Sequence, residues 1–287
     1  MNPFAALWRS GINPTFLKKV GFLRFCGGDI LTNMARKRLI VGNWKMYVES
    51  PEEAHAFALA LRRRVRGLKG LEVWLAPSHP LLPDVASVLE SSPVRVGAQT
   101  VSAHSDGAHT GEVSAKTLKK VGALFTLVGH SERRIAGDTQ DIVRAQLERA
   151  LEAGLTPILC IGERERERDG EHFELLEAQL TSALSTVPKN TLKKLVVAYE
   201  PVWAIGKHAA DAMQPSELQE MVIFIRKILA DMLDRAAALR VPILYGGAVE
   251  PENAASLIRE GGVGGLLVGH ASAELGQFLE IIKATQN

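Results

Sequence analysis

Leu39-Ile40-Val41-Gly42-Asn43, followed by Ser50-Pro51-Glu52-Glu53, is the stretch that decides the fold. The first part is a short apolar run rich in β-branched residues, apolar on both faces as a parallel strand covered from both sides must be. The second supplies a capping box, with Pro in the first helical turn where its missing N–H costs nothing. The same succession recurs outward along the chain. Apolar runs lie at 72–76, 94–98, 125–129, 156–161, 195–200, 241–245 and 263–268, each followed by helical spacing. After the sixth run, Leu218, Met221, Val222, Ile225, Ile228, Leu229, Met232 and Leu233 form a stripe that must pack on a sheet. Units of roughly 30 residues are the length of a right-handed βα crossover, and such units in succession close most naturally into an α/β (β/α)8 barrel, parallel strands ringed by helices. An open doubly wound sheet would carry G-x-G-x-x-G after its first strand, where this chain has Gly42-Asn43-Trp44-Lys45-Met46. No P-loop occurs either.

Length and composition allow one large α/β domain or two small ones. Of 287 residues, 46% are hydrophobic and 23% charged, and the net charge is +2. A disordered or collagenous chain is excluded, and so near-neutral a balance argues against a surface built for nucleic acid. Arg62-Arg63-Arg64, with Arg66 and Lys69, is the one basic run, but consecutive residues fan around a helix and make no stripe. The alternating charges from Glu163 to Asp169 read as a solvated loop or helix start. Cys26 and Cys160 are far apart, so neither a disulfide framework nor a structural zinc site is signalled, and Cys160 reads as core. No apolar run is long enough to span a membrane, and a cytoplasmic location is the default expectation.

Residues 1–33 differ from the rest. They hold Arg9, Lys18, Lys19 and Arg24 against a lone Asp29, with apolar residues interrupted by glycine and proline. They lack the uninterrupted apolar core of a secretory signal and the Ser-rich, Arg-rich amphipathic character of a transit peptide. They are expected to be an N-terminal extension of unknown role, either a poorly ordered segment or a chain start placed ahead of Met34. Residues 34–287 then form the single barrel domain.

In a parallel barrel the strand C-termini face one mouth, so polar residues ending apolar strands converge there. Those residues are Asn43 and Lys45, then His130, Ser131 and Glu132, then Glu200. Gly246, Gly247 and Gly269 end the last two strands and let a ligand approach backbone N–H groups. This set suits proton transfer beside a carbonyl on a phosphorylated substrate. No two of its His, Asp or Glu residues have metal-ligand spacing on a helix face. Alone, Glu200 reads as a solvated strand-end carboxylate. The exposed apolar loop that follows, Pro-Val-Trp-Ala-Ile-Gly, reverses this, because a lid that excludes water explains it.

Val41-Gly42-Asn43-Trp44-Lys45-Met46, Gly129-His130-Ser131-Glu132-Arg133-Arg134, Ala198-Tyr199-Glu200-Pro201-Val202-Trp203-Ala204-Ile205-Gly206 and Tyr245-Gly246-Gly247 resemble the triosephosphate isomerase family in order and spacing, over about residues 37–284. The resemblance implies a TIM barrel that interconverts dihydroxyacetone phosphate and D-glyceraldehyde 3-phosphate through an enediolate, in glycolysis and gluconeogenesis. It implies Glu200 as the base, His130 as the electrophile, Lys45 as the electrostatic residue, Asn43 as a substrate hydrogen-bond partner and Glu132 as the group orienting Lys45. No cofactor or metal is implied. It further implies a homodimer in which loop 107–114 docks into the partner, Thr110 approaching its pocket and Glu112 pairing with Arg133.

Two departures from the family pattern surround the phosphate. The second half of the lid reads Lys207-His208-Ala209-Ala210-Asp211-Ala212-Met213-Gln214-Pro215, and Ala248 and His270 stand where the family carries Ser and Gly. The phosphate is therefore expected to be held by main-chain donors at Gly206, Gly247, Ala248, Gly269 and His270. The same departures keep open a second substrate, a four-carbon ketose phosphate; a non-catalytic scaffold would need none of Asn43, Lys45, His130 and Glu200.

Overall fold

The computed structural model describes residues 37–166 and 170–286; the N-terminal extension expected at 1–33 lies outside them. Strands β1 (Arg38–Asn43), β2 (Leu71–Ala76), β3 (Val94–Ala98), β4 (Phe125–Val128), β5 (Thr156–Ile161), β6 (Val196–Tyr199), β7 (Ile243–Tyr245) and β8 (Gly265–Val268) pair in parallel and in sequence order. β8 returns to β1, with Leu39 opposite Gly265 and Gly42 opposite Val268, so the sheet closes on itself. Closure removes both edges, and with them the unpaired N–H and C=O rows of an open sheet.

Alternation along each strand builds two apolar layers. Leu39, Val41, Trp74, Phe125, Leu127, Ile158, Cys160 and Leu244 fill the barrel. Ile40, Leu75, Val128, Leu159 and Val197 face outward against the helices. Complete burial of each large apolar side chain contributes about 1.5–3 kcal/mol. Crowding inside dictates small residues at two places: a Cβ at Gly97 would overlap the Phe125 ring, and one at Gly265 would overlap the Leu39 carbonyl.

Helices α1 (Pro51–Arg64), α2 (Leu82–Val88), α3 (Ala115–Lys120), α4 (Ser131–Ile135), α5 (Gln140–Glu152), α6 (Glu171–Leu184), α7 (Pro215–Met232), α8 (Arg235–Arg240), α9 (Pro251–Arg259) and α10 (Leu275–Ala284) surround the sheet. Ser50 caps α1, its hydroxyl oxygen accepting the Glu53 N–H at 3.3 Å, but only this half of the expected capping box forms, and the hydroxyl itself donates to Glu52 Oε2 at 2.6 Å. The stripe along α7 is buried at Leu218, Met221, Val222, Ile225, Ile228 and Leu229.

All eight expected strands are present, with three shortened at their starts, β6 by one residue to Val196. β7 begins at Ile243 rather than 241, because the Val241 N–H is spent on Ala238 O at the end of α8 and Pro242 has none to give. β8 begins at Gly265, after Gly264 O has accepted the Leu39 N–H. On the face opposite the strand C-termini, the Arg38 guanidinium donates to Thr285 O at 2.5 Å, tying the first strand to the end of the last helix.

Candidate active site

Asn43 ends β1 buried, and its Oδ1 accepts the N–H of Lys45 at 3.1 Å. Lys45 has φ +48°, a left-handed conformation that costs a non-glycine residue roughly 1–2 kcal/mol. The Asn43 bond holds it from one side. Gln99, donating to Lys45 O at 2.9 Å and Ala76 O at 3.0 Å, holds it from the other. The turn sends the Lys45 ammonium to Glu132 Oε1 at 2.6 Å.

His130 stands between β4 and α4 as the helix N-cap. Its Nδ1 accepts the Glu132 N–H at 3.2 Å. An N–H can donate only to a nitrogen without a proton, so the helix start fixes the neutral tautomer with hydrogen on Nε2. That Nε2 lies 3.6 Å from Glu200 Oε1.

Glu200 follows β6 and is 1% exposed. Its Oε2 accepts the Ser131 N–H at 3.0 Å, while Oε1 has no hydrogen-bond partner. Glycine immediately after each neighbouring strand, β5 and β7, makes its seat: a Cβ at Gly162 would overlap the Glu200 carbonyl, and one at Gly246 would lie 2.9 Å from Glu200 Cγ. Beneath it, Cys160 is completely buried, as expected of a core residue; burial pushes its thiol up, and the nearby Glu200 carboxylate adds to the shift.

Asn43, Lys45, His130, Glu200, Gly206, Gly247, Ala248, Gly269 and His270 line a single cavity of about 360 Å³, so the residues expected to carry the chemistry and those expected to hold the phosphate come together. The His270 ring meets Tyr47 edge-on at 4.7 Å. Among the described residues no three His, Cys, Asp or Glu side chains group as a metal site would require.

Glu163 is where the sequence reading fails. Residues Glu163–Asp169 were expected to be a solvated charged loop, yet Glu163 is 1% exposed; residues 167–169 lie outside the described residues. Its Oε1 accepts from the Tyr199 hydroxyl and from Trp203 Nε1, each at 2.9 Å. Burial pushes the Tyr199 hydroxyl well up, and the Glu163 carboxylate adds to it. The signal was present: Glu163 lies just past the end of β5, where the strand-end rule that singled out Glu200 applies equally. Trp203 thus ties down the first half of the apolar loop, in the 3₁₀ turn Val202–Ala204. The Tyr245 hydroxyl, which burial pushes up to about 12, ties the far end by accepting the Met213 N–H at 3.2 Å. Between these posts Gly206 turns at φ +71°, and Gly206, Lys207 and His208 stand exposed.

A larger cavity, about 620 Å³, lies behind Glu200 and is lined by Ser131, Glu163, His172 and Leu175. Both His172 ring nitrogens are buried without hydrogen-bond partners, and burial followed by the nearby Arg166 pulls this imidazole down to about 4. On the outer surface, Arg133 pairs with Asp138 at 2.9 Å, Glu112 is exposed, and Met46 and Ile135 are 83% and 62% exposed.

The family profile described as triosephosphate isomerase matches residues 38–285. Triosephosphate isomerase of Thermus thermophilus is 44% identical over 252 residues, covering 86% of this chain and 98% of the relative. That of Protochlamydia amoebophila is 39% identical over 249 residues, covering 86% of this chain and 93% of the relative. The crystal structure of triosephosphate isomerase from Bartonella henselae superposes with a TM-score of 0.76 at 29% identity, covering 88% of this chain and 100% of that one.

Proposed function

The chain belongs to the triosephosphate isomerase family, and from that membership we propose how its site carries out the reaction. The protein is an aldose-ketose isomerase that interconverts dihydroxyacetone phosphate and D-glyceraldehyde 3-phosphate, a step of glycolysis. Glu200 takes a proton from C1 of dihydroxyacetone phosphate. The C–H electrons become the C1–C2 double bond, and the carbonyl electrons move onto O2. His130 meets that oxygen with its Nε2–H and passes protons between O2 and O1, after which Glu200 returns its proton to C2. Acid–base catalysis of this kind contributes about 10²–10⁴-fold. Lys45 and Asn43 face the developing negative charge, and Glu132 orients Lys45. Fixed donors of this kind are already aimed before charge appears, so they reorganise little as it forms.

The observation that carries this reading is the pairing of Glu200 and His130 in one cavity. The carboxylate has one oxygen anchored on Ser131 and the other free, 3.6 Å from an imidazole whose tautomer presents a hydrogen. Main-chain N–H groups at Gly206, Gly247, Ala248, Gly269 and His270 hold the phosphate; their placement around the same cavity supports this. The four-carbon ketose phosphate is not favoured, because the relatives share the triose name. A coupled assay of triose and tetrose phosphates tests the assignment: turnover of the tetrose equal to or better than the triose would overturn it.

The protein is further proposed to work as a cytoplasmic homodimer, with residues 1–33 appended to the barrel of 34–287. The exposed Met46, directly after Lys45, and the exposed residues 107–112 of loop 107–114 support the dimer, since apolar surface beside a catalytic residue calls for cover. Thr110 then reaches the partner's pocket and Glu112 meets Arg133 across the interface. No helix of the described residues is long and apolar enough to cross a membrane.

A further inference from the structure

The lid has a third attachment that neither its apolar half nor its far hinge explains. Glu250 stands immediately before α9, with its backbone fixed because Asn253 accepts the Glu250 N–H at 2.9 Å and donates to Ala248 O at 2.9 Å. Its side chain takes part in the capping box that opens α9 and also reaches the lid. Oε2 accepts the Ala209 N–H at 2.9 Å, and Oε1 lies 3.9 Å from Nδ1 of His208, whose side chain is 92% exposed. Ala209 opens the 3₁₀ turn Ala209–Asp211, so its N–H has no partner within that turn and Glu250 satisfies it from another element.

This tether sits three residues beyond Gly206, the lid's own phosphate donor, and Glu250 lines the same cavity as Gly206, Gly247, Ala248 and Gly269. A carboxylate beside a pocket for a phosphate dianion competes with it for the same lid. The basic side chains lining that cavity are those of Lys207 and His208 on the lid, with Lys45 and His270 elsewhere on its wall. We propose that Glu250 is a positioning residue that holds the lid off the phosphate pocket in the free enzyme and releases it when phosphate arrives. The proposal rests on Gly206 being part of the phosphate grip. Glu250 touches no substrate in this scheme; it acts through Ala209 and His208, setting how much binding energy is spent on moving the lid.

Two variants cut the tether from opposite ends. Glu250→Ala removes the acceptor. Ala209→Pro removes the donor without touching α9, and His208, at φ −79° and ψ 165°, already has the extended conformation a following proline requires. Isomerisation kinetics and competitive inhibition by inorganic phosphate are measured for each single variant and the double. Loss of one such hydrogen bond corresponds to about three- to tenfold, so KM and the phosphate inhibition constant are expected to fall by that factor in each single variant. kcat is expected not to rise, and the double variant should gain nothing beyond either single. Unchanged or raised KM in both single variants, or additive effects in the double, would overturn the proposal. If Glu250→Ala unfolds the start of α9, Ala209→Pro alone decides. Failure of the phosphate-grip reading would look different: inorganic phosphate would not compete with substrate in the unmodified enzyme.

Discussion

Shortening Glu200 to aspartate is the sharpest test of the site, because it moves the proposed base and leaves its charge. In the present geometry one carboxylate oxygen is pinned 3.0 Å from the Ser131 N–H, the other lies 3.6 Å from His130 Nε2, and the backbone is fixed by the Glu200 N–H bond to Ile161 O at 2.7 Å. Removing one methylene withdraws the carboxylate by roughly one C–C bond length, about 1.5 Å. The backbone cannot follow, since Gly162 already packs directly against the Glu200 carbonyl. A reacting group misplaced by about 1 Å loses on the order of 10²-fold in rate, so Glu200→Asp is expected to lower kcat by about 10²–10³-fold. KM should stay within about threefold, because no phosphate-side donor moves. Initial rates in both directions in a coupled assay, with thermal unfolding as a control for folding, measure this. A kcat within fivefold of the parent in a folded variant would refute Glu200 as the base.

Lys45→Met should raise KM and lower kcat/KM by at least about 10²-fold, since it removes the cation facing a dianion; in the pair with Glu132 the carboxylate is half-exposed and the ion pair is worth about 1 kcal/mol, so the melting temperature should move little, and an unchanged KM would contradict the electrostatic role. Ala248→Ser restores a hydroxyl at a position where main-chain donors are proposed to suffice. Its kcat/KM should stay within about fivefold of the parent, the worth of one neutral hydrogen bond, and a tenfold gain would show that the hydroxyl had not been replaced. His172 is held near 4 in the folded chain and titrates near 6.5 when unfolded, so the unfolded state binds more protons between those values. Stability should therefore be full above about pH 6.5 and decline as pH falls toward 4. His172→Leu should flatten that limb in urea melts at pH 5 and 7, and an unaltered slope would assign it to other groups.

The barrel and most of its mouth were legible because both follow from position along the strand. Apolar runs such as Leu39–Val41 fill both layers, and the polar residue ending each run is carried to one face by the topology itself. Strand starts were less legible: at β7 the hydrophobic run continues through Val241 and Pro242, but pairing depends on N–H groups that a proline lacks and a helix end consumes. Glu163 was hidden by its neighbours, since a charge run averages over residues while burial is decided for each one. The tautomer of His130 and the tether at Glu250 were beyond reach for another reason. Both depend on which N–H a side chain meets across an element boundary, and residue spacing carries no record of that.

The bond between Arg38 and Thr285 has a practical corollary. It places the point where the chain enters the barrel beside the point where it leaves, on the face away from the catalytic mouth. Residues 38 and 285 are therefore candidates for a short peptide link, with new termini opened in an exposed turn elsewhere, to give a circular permutant with the same strand order around the ring. The same geometry makes that end the natural handle for attaching the enzyme to a bead or fusing it to a second catalyst. Tethered there, it would present its mouth to solution, and the product of one active site would leave unobstructed toward the next.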